Sequence, residues 1–279
     1  MYRLFPALIF ALTFPLLAPA QSAEKEQLKN GVSFMDVESF YSAEQDAEIL
    51  ELYKNLRVAD VSDGMDMVGL PGVGLVNTEI HPDWVDHDKF SHVFRGIALT
   101  VRYVPTQRSP HPPDSVDFAQ WEGNFYNQYS AEPFADIIHD GHAIVIDDAQ
   151  DRDIGSIGSY NILDWYSRGA VGVVTDASSR DTDEIAKQGV PLYLRKKGRG
   201  IRPGRNELES VNKPVVIGGV TVRPGDVVVA DGDGVVVVPR KHARQVAKYA
   251  QEILEKDKGG RRNLYEKLNM PLDHTVKEN

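Results

Sequence analysis

Three apolar runs constrain this chain more than any other feature: "AIVID" (143–147), "AVGVVTD" (170–176) and "VPLYL" (190–194). Each is apolar along nearly its whole length, the mark of a strand covered on both faces and so of a parallel sheet. Helix-length segments separate them. "YNILDWYSRG" (160–169) carries apolar residues at helical spacing and ends on a glycine suited to a C-cap, and Thr182 to Gly189 forms the next helix. Strand–helix–strand–helix–strand commits the chain to the α/β class, with parallel strands joined by crossover helices.

The flanking segments extend this frame. "DAEILELYKNLRVADVSDGMDMV" (46–68) reads as two helices, with Ser62 or Asp63 as N-cap of the second. "FRGIALTVRYVPT" (94–106) alternates as a strand, setting Ile97, Leu99, Val101 and Tyr103 against Ala98, Thr100 and Arg102. From Gln107 to Glu132 the chain is rich in proline and aromatics, which predicts a surface excursion with a short helix, serving as a lid or an oligomer contact. The stretch 214–239 consists of β-branched runs broken by Gly-Gly, Pro-Gly-Asp and Asp-Gly-Asp-Gly turns, and predicts a compact antiparallel unit. "ADGDGVVVVP" within it is a tight hairpin rather than a calcium loop, since the further ligands of such a loop are missing. An amphipathic helix over 241–258 closes the fold, with a charged tail at 259–279. These elements make one α/β domain, 45–258, with a β-rich C-terminal portion.

At the N-terminus, Arg3 precedes an apolar run from about Leu4 to Leu17 and then "APA" and "QSA". This is the layout of a secretory signal peptide over 1–23, followed by an extension over 24–44; an uncleaved N-terminal anchor is the alternative. The expected location is periplasmic or secreted, with no membrane attachment after cleavage. The 279 residues contain no cysteine, which excludes disulfides, thiol nucleophiles and cysteine-ligated metals. A net charge of -10 argues against a nucleic-acid partner, which would need a basic face.

Chemistry is expected at the carboxyl ends of the parallel strands, where open α/β sheets bind ligands. Two loops lie there. "GSIGSYN" (155–161) offers glycines and backbone N–H groups at a helix start, a cradle for a carboxylate. "DASSRD" (176–181) offers an arginine fork beside acids. Aspartate is a hard oxygen ligand suited to Mg²⁺ or Mn²⁺, and an anion clamp beside such a cation suits a 2-oxo acid. The competing structural reading makes Asp181 a helix cap and pairs Arg180 with Asp176 or Asp183. The eight histidines form no HExxH or HxH pattern, and no histidine metal centre is expected. "GRGIRPGRNE" (198–207), with three arginines, reads as a solvated loop or part of an anion entrance.

Taken together, "VSDGMD" (61–66), "GIALTV" (96–101), "GHAIVID" (141–147), "GSIGSYNILDWYSRGAVGVVTDASSRD" (155–181) and "RPGDVVVADGDGVVVVP" (223–239) resemble the RraA-like family, over roughly residues 45 to 255. That family includes the regulator of ribonuclease activity A and the class II 4-hydroxy-4-methyl-2-oxoglutarate aldolases. The resemblance implies a single α/β/β-sandwich domain, assembled as a homo-oligomer (trimer or hexamer) with its site at a subunit interface. It also implies cleavage of a small oxo acid to pyruvate, or oxaloacetate decarboxylation, through a metal-stabilised enolate. Carried onto this chain, Arg180 binds substrate, Asp181 ligates the divalent metal, and Gly158, Ser159, Tyr160 and Asn161 hold the pyruvyl part through their backbone N–H groups. One position departs from the aldolases. They carry an acid where this chain has Ser159, 22 positions before Asp181, and a serine brings no charge to the metal's water. Asp147, Asp148 and Asp153 are the nearby acids that could make it up. The second function the resemblance implies is a non-catalytic binding or regulatory protein; an exported chain would not meet the cytoplasmic ribonuclease machinery.

Overall fold

The computed structural model describes residues 41–148 and 153–277, together with the backbone of β1 (Gln27–Lys29) and β2 (Val32–Phe34), which pair as a small antiparallel hairpin. The expected signal peptide and most of the extension after it lie outside the described residues. Two helices come next, α1 (Ala43–Tyr53) and α2 (Val58–Met67), then β3 (His81–Pro82) and β4 (Phe94–Pro105). The 107–132 excursion carries α3 (Phe118–Gln128). The parallel core follows as β5 (His142–Asp147), α4 (Ser159–Ser167), β6 (Ala170–Ser179), α5 (Thr182–Gln188) and β7 (Leu192–Lys197). The last part holds β8 (Asn206–Val211), β9 (Val215–Ile217), β10 (Val220–Val222), β11 (Val227–Asp231), β12 (Gly234–Val238) and α6 (Ala243–Lys267).

One sheet organises the molecule. Its order is β12-β11-β4-β5-β6-β7-β3, with β8 added to β4 beyond the end of β11. The pairs β4·β5, β5·β6 and β6·β7 are parallel, as the apolar runs require. Because every strand twists in the same sense, the sheet curls until β3 approaches β12 and nearly closes. Inside the curl, Val145, Val174 and Val228 pack against Val215, Ile217 and Val222 of the β9–β10 hairpin. Outside it, Leu99, Ile144 and Val173 pack against Ile162 and Trp165 of α4 and Ile185 of α5. A third cluster seats α1, α2 and α6 on β11 and β12 through Tyr53, Val61 and Val246. Helices on the outer face and a hairpin on the inner one give the expected α/β/β layering. The described residues contain no helix long and apolar enough to cross a membrane.

Several local expectations are corrected. Helix α2 starts at Val58, so Ser62 and Asp63 are interior to it. The start is fixed by Asp60, whose carboxylate accepts from the Arg57 backbone N–H at 3.1 Å and from its guanidinium, and by Asp231, which accepts from the Val58 N–H at 2.8 Å. The C-terminal β-rich stretch is no separate unit: β11 and β12 join the main sheet through β4, and only β9 and β10 stand apart. The closing helix runs through the start of the expected tail to Lys267, and Val276 beyond it is buried. The 198–207 loop is not a solvated face, because Arg202 is buried, with its guanidinium on the Tyr103 hydroxyl, the Ser130 carbonyl and the Glu132 carboxylate.

Candidate active site

The strand expected to end at Asp176 continues to Ser179, and this extension builds the site. Residues 154–157 lie beside it like a short extra strand. Ile157 bridges Ser179, the Ser156 N–H donates to the Ser178 carbonyl at 3.1 Å, and the Arg180 N–H donates to the Ile157 carbonyl at 2.8 Å. The Ser179 hydroxyl donates to the same carbonyl at 2.8 Å and Ser178 donates to the Ile154 carbonyl. Ala177, Ser178 and Ser179 therefore run on in β conformation because a neighbouring loop satisfies their backbone. The glycine loop and the Arg180–Asp181 turn are strapped together before any ligand is considered.

Two glycines make the contact possible. A Cβ on Gly155 would lie 2.5 Å from the Arg180 Cβ, and one on Gly158 would lie 2.9 Å from Asp181 Oδ2 and 3.5 Å from Asn161 Oδ1. Neither glycine is needed for a left-handed turn; both are needed for room. Asp181 itself takes the left-handed conformation, φ 58° and ψ 33°, at the start of α5. This is an uncommon conformation for a residue with a side chain, though aspartate adopts it more readily than most.

The Asp181 carboxylate does not cap its own helix. It turns back across the turn, where Oδ2 accepts the Ser159 N–H at 3.2 Å and lies 3.8 Å from Arg180 Nε. Asp181 is 41% exposed in its side chain and Arg180 37%, so both face an open surface. The structural pairings weighed for Arg180, with Asp176 or Asp183, are not the ones seen. Asp176 points inward from β6, buried, accepting the Asp148 N–H at 3.4 Å. Burial, then the neighbouring Asp147 charge, pushes its pKa up.

The structure brings together Gly158, Ser159, Asn161, Arg180 and Asp181, and leaves Tyr160 82% exposed at the mouth. The Ser159 N–H is engaged by Asp181, so the free donors at the α4 start are the N–H groups of Tyr160 and Asn161, which precede the first intrahelical bond from the Ile162 N–H to the Gly158 carbonyl. The Asn161 side-chain amide donates to Glu132 Oε1 at 2.8 Å. Glu132 also accepts from Trp165 Nε1 at 3.0 Å and pairs with Arg202, so a buried network anchors the first turn of α4 from behind. Sequence reasoning did not single out Glu132; an isolated glutamate at the end of a proline- and aromatic-rich excursion gives no signal. Nor did it find Tyr126 of α3, whose hydroxyl is pushed up in pKa by burial while the charges of Arg202 and Arg180 act against that rise. The excursion thus reaches the neighbourhood of Arg180. Of the acids considered as substitutes at Ser159, Asp153 is taken by Arg199 at 2.5 Å, and Asp148 is buried, accepting from Ser156 at 2.5 Å and Asn206 at 2.7 Å. Asp147 accepts the Val216 N–H at 3.4 Å.

The donor set fits a hard divalent cation. Asp181 commits Oδ2 to one N–H group and has no other hydrogen bond, its surface is open to water, and the Cβ-sized space at Gly158 keeps that carboxylate where it is. One carboxylate with room for several waters is what Mg²⁺ or Mn²⁺ takes.

A second group of ligand-type side chains lies at the opposite end of β5. Asp46, His139 and His142 each place one ligand atom within 4.8 Å of the others. The His139-x-x-His142 spacing around a turn is visible in sequence; its third member on α1 is not.

Residues 58–237 match the family model described as RraA-like, Aldolase/RraA. Protein DlpA of Legionella pneumophila is 24% identical over 71% of this chain and 28% of its own length. A Halalkalibacterium halodurans protein named "Putative 4-hydroxy-4-methyl-2-oxoglutarate aldolase" is 31% identical over 40% of this chain and 53% of its own. The chain thus spans about a quarter to a half of the length of these curated relatives. A crystal structure of an uncharacterized protein from Pseudomonas syringae pv. tomato superposes with a TM-score of 0.61 at 26% identity, covering 83% of this chain and 98% of that one.

Proposed function

The chain belongs to the RraA-like family, and from that premise we propose that it is a divalent-metal-dependent carbon–carbon lyase, of the 4-hydroxy-4-methyl-2-oxoglutarate aldolase and oxaloacetate decarboxylase type, acting on a small 2-oxo acid. The observation that carries this reading is the Asp181 carboxylate, held over Gly158 with one oxygen bound to Ser159 N–H and the other open, directly beside the Arg180 guanidinium.

Asp181 would hold the metal. The cation, when bound, would supply Lewis acidity toward the 2-oxo group, favouring the negative charge that develops when the bond between the third and fourth carbons breaks. The protein does the rest by placement. Arg180 presents a planar fork to the substrate carboxylate, a match that two parallel charge-assisted bonds make directional. The Tyr160 and Asn161 N–H groups at the α4 start add partial positive charge on the same side. The Glu132 network holds that helix start in register, and Ser159, whose side chain replaces the acid of the aldolases, orients water without charging it. The same substitution favours a second reading, a family member that binds without turnover.

As part of the same proposal, the chain assembles as a trimer or hexamer whose subunit contact borders the open side of Arg180 and Asp181, and it works in the periplasm or outside the cell, led there by its N-terminal apolar run. The test is a panel of 2-oxo acids, oxaloacetate and 4-hydroxy-2-oxo acids among them, offered to the protein without its leader and with Mg²⁺ or Mn²⁺. Pyruvate release that chelation abolishes is the expected result. Silence across the panel with every divalent metal supports the binder instead.

A further inference from the structure

The parallel strands have two ends, and the second one is also built. Asp46 on α1 is 2% exposed, His142 opens β5 at 8%, and His139 lies in the turn just before it. Among the described residues these three are the group of histidine and carboxylate side chains close enough to share one ion, and none belongs to the site at Arg180 and Asp181. We propose that Asp46, His139 and His142 form a binding site for a zinc-class transition-metal ion that ties α1 to the start of β5. Two imidazoles with one carboxylate are the ligands such an ion selects, whereas Mg²⁺ selects oxygen alone.

The geometry around His139 carries the argument. Its Nδ1 lies 3.1 Å from the Asp140 carbonyl oxygen, which can only accept, so Nδ1 holds the proton. The lone pair is then on Nε2, which faces Asp46 Oδ2 at 3.9 Å. That separation is too long for a hydrogen bond. It is about half an ångström wider than two ligands each about 2.05 Å from one tetrahedral ion would keep. A histidine whose far nitrogen donates to a backbone carbonyl, and whose near nitrogen is bare, is oriented as metal-bound histidines are.

Asp46 is oriented as well. Arg240 Nη1 holds Oδ1 at 2.7 Å and its Nη2 donates to the Gln45 carbonyl at 3.0 Å, which leaves Oδ2 turned toward His139. The guanidinium charge opposes a cation, so the site is expected to bind less tightly than the same ligands would without it. His142 packs against His139 with ring centroids 3.6 Å apart and the rings tilted by 39°. Its Nδ1 accepts the His139 N–H at 3.2 Å, a long bond that ligation would exchange for the metal. Three protein ligands leave a fourth position for water on the side where His139 is open.

The test is a ZnCl₂ titration of untagged, EDTA-stripped full-chain protein, followed by calorimetry and thermal melting, with MgCl₂ as control and Co²⁺ absorption as a direct view of the ligands. One Zn²⁺ per chain, a rise in Tm and a visible Co²⁺ band are expected. His139→Gln, at a half-exposed turn position that leaves the fold intact, should weaken binding by at least about tenfold and remove the band. Asp181→Ala should leave both unchanged, which separates this site from the lyase reading whichever way that reading falls. Identical Zn²⁺ titrations of wild type and His139→Gln, loss of binding in Asp181→Ala instead, or an equal response to Mg²⁺ would overturn the proposal.

Discussion

Aspartates do two different jobs in this molecule, and the contrast between its buried interior and the rim of the sheet shows what distinguishes them. Inside, Asp226 accepts the Arg223 and Arg240 backbone N–H groups at 2.8 and 2.9 Å, and Asp231 accepts those of Val58 and Asp233 at 2.8 and 2.9 Å. Burial pushes the pKa of both upward, and these hydrogen bonds oppose that rise. Such groups join turns and helix starts to the sheet, and their oxygens are used up. At the rim, Asp181 accepts one N–H, is open to solvent, and stands in a left-handed conformation with a glycine cleared from its path. A carboxylate that is positioned but not saturated is available for chemistry; one that is saturated is structure.

The most severe way to break the contrast is Asp181→Ala. Turnover of any oxo acid found in the screen should fall by at least about 100-fold, since the carboxylate that, among the described residues, stands beside Arg180 to hold the cation is gone. Thermal melting should barely move. A variant that melts early yet retains turnover would reverse the assignment. Asp226→Ala is the mirror experiment. Two backbone donors lose their acceptor, so unfolding free energy should drop by about 2–3 kcal/mol in chemical denaturation while turnover per folded molecule stays at the wild-type level.

Gly158→Ala comes next. Gly158 has φ -117°, so alanine brings no backbone strain, and the sole expected consequence is pressure of the new methyl on Asp181 Oδ2. About a tenfold fall in turnover with a higher Mg²⁺ or Mn²⁺ requirement is expected, with Tm nearly constant. Loss of stability without change in metal requirement would mean that the glycine serves packing alone.

How much of this could be read from the chain depends on how far each cause lies from its effect. The parallel strands and α4 were legible because burial on both faces writes an apolar run into the residues themselves. The extension of β6 through Asp176 to Ser179 was not: its composition says loop, and it is held as a strand by bonds from residues 154–157. The start of α2 was misplaced because a carboxylate on β11, Asp231, helps to set it. Arg202 looked solvated because its partners Tyr103, Ser130 and Glu132 are all at least 70 positions away. Arg180 and Asp181 stood out as a pair, yet what separates them from a helix cap is the space at Gly155 and Gly158, and no pattern of residue types encodes a clearance.

The smallest effect tests the interior half of the contrast within β6 itself. Asp176 lies five positions before Asp181, pointing into the sheet, with its pKa raised by burial and then by Asp147. A carboxyl whose folded pKa lies above its unfolded value binds its proton more tightly when folded. Its stabilising contribution is therefore complete below the unfolded pKa near 3.8 and is lost as pH rises through the folded value. Asp176→Asn removes that titration while keeping an acceptor for the Asp148 N–H. The Tm difference between variant and wild type should move in the variant's favour from pH 4 to pH 7, with turnover unchanged at either end. A difference that stays flat with pH would mean that Asp176 is solvated enough to ionise freely, and the distinction between interior and rim would then lose one of its interior members.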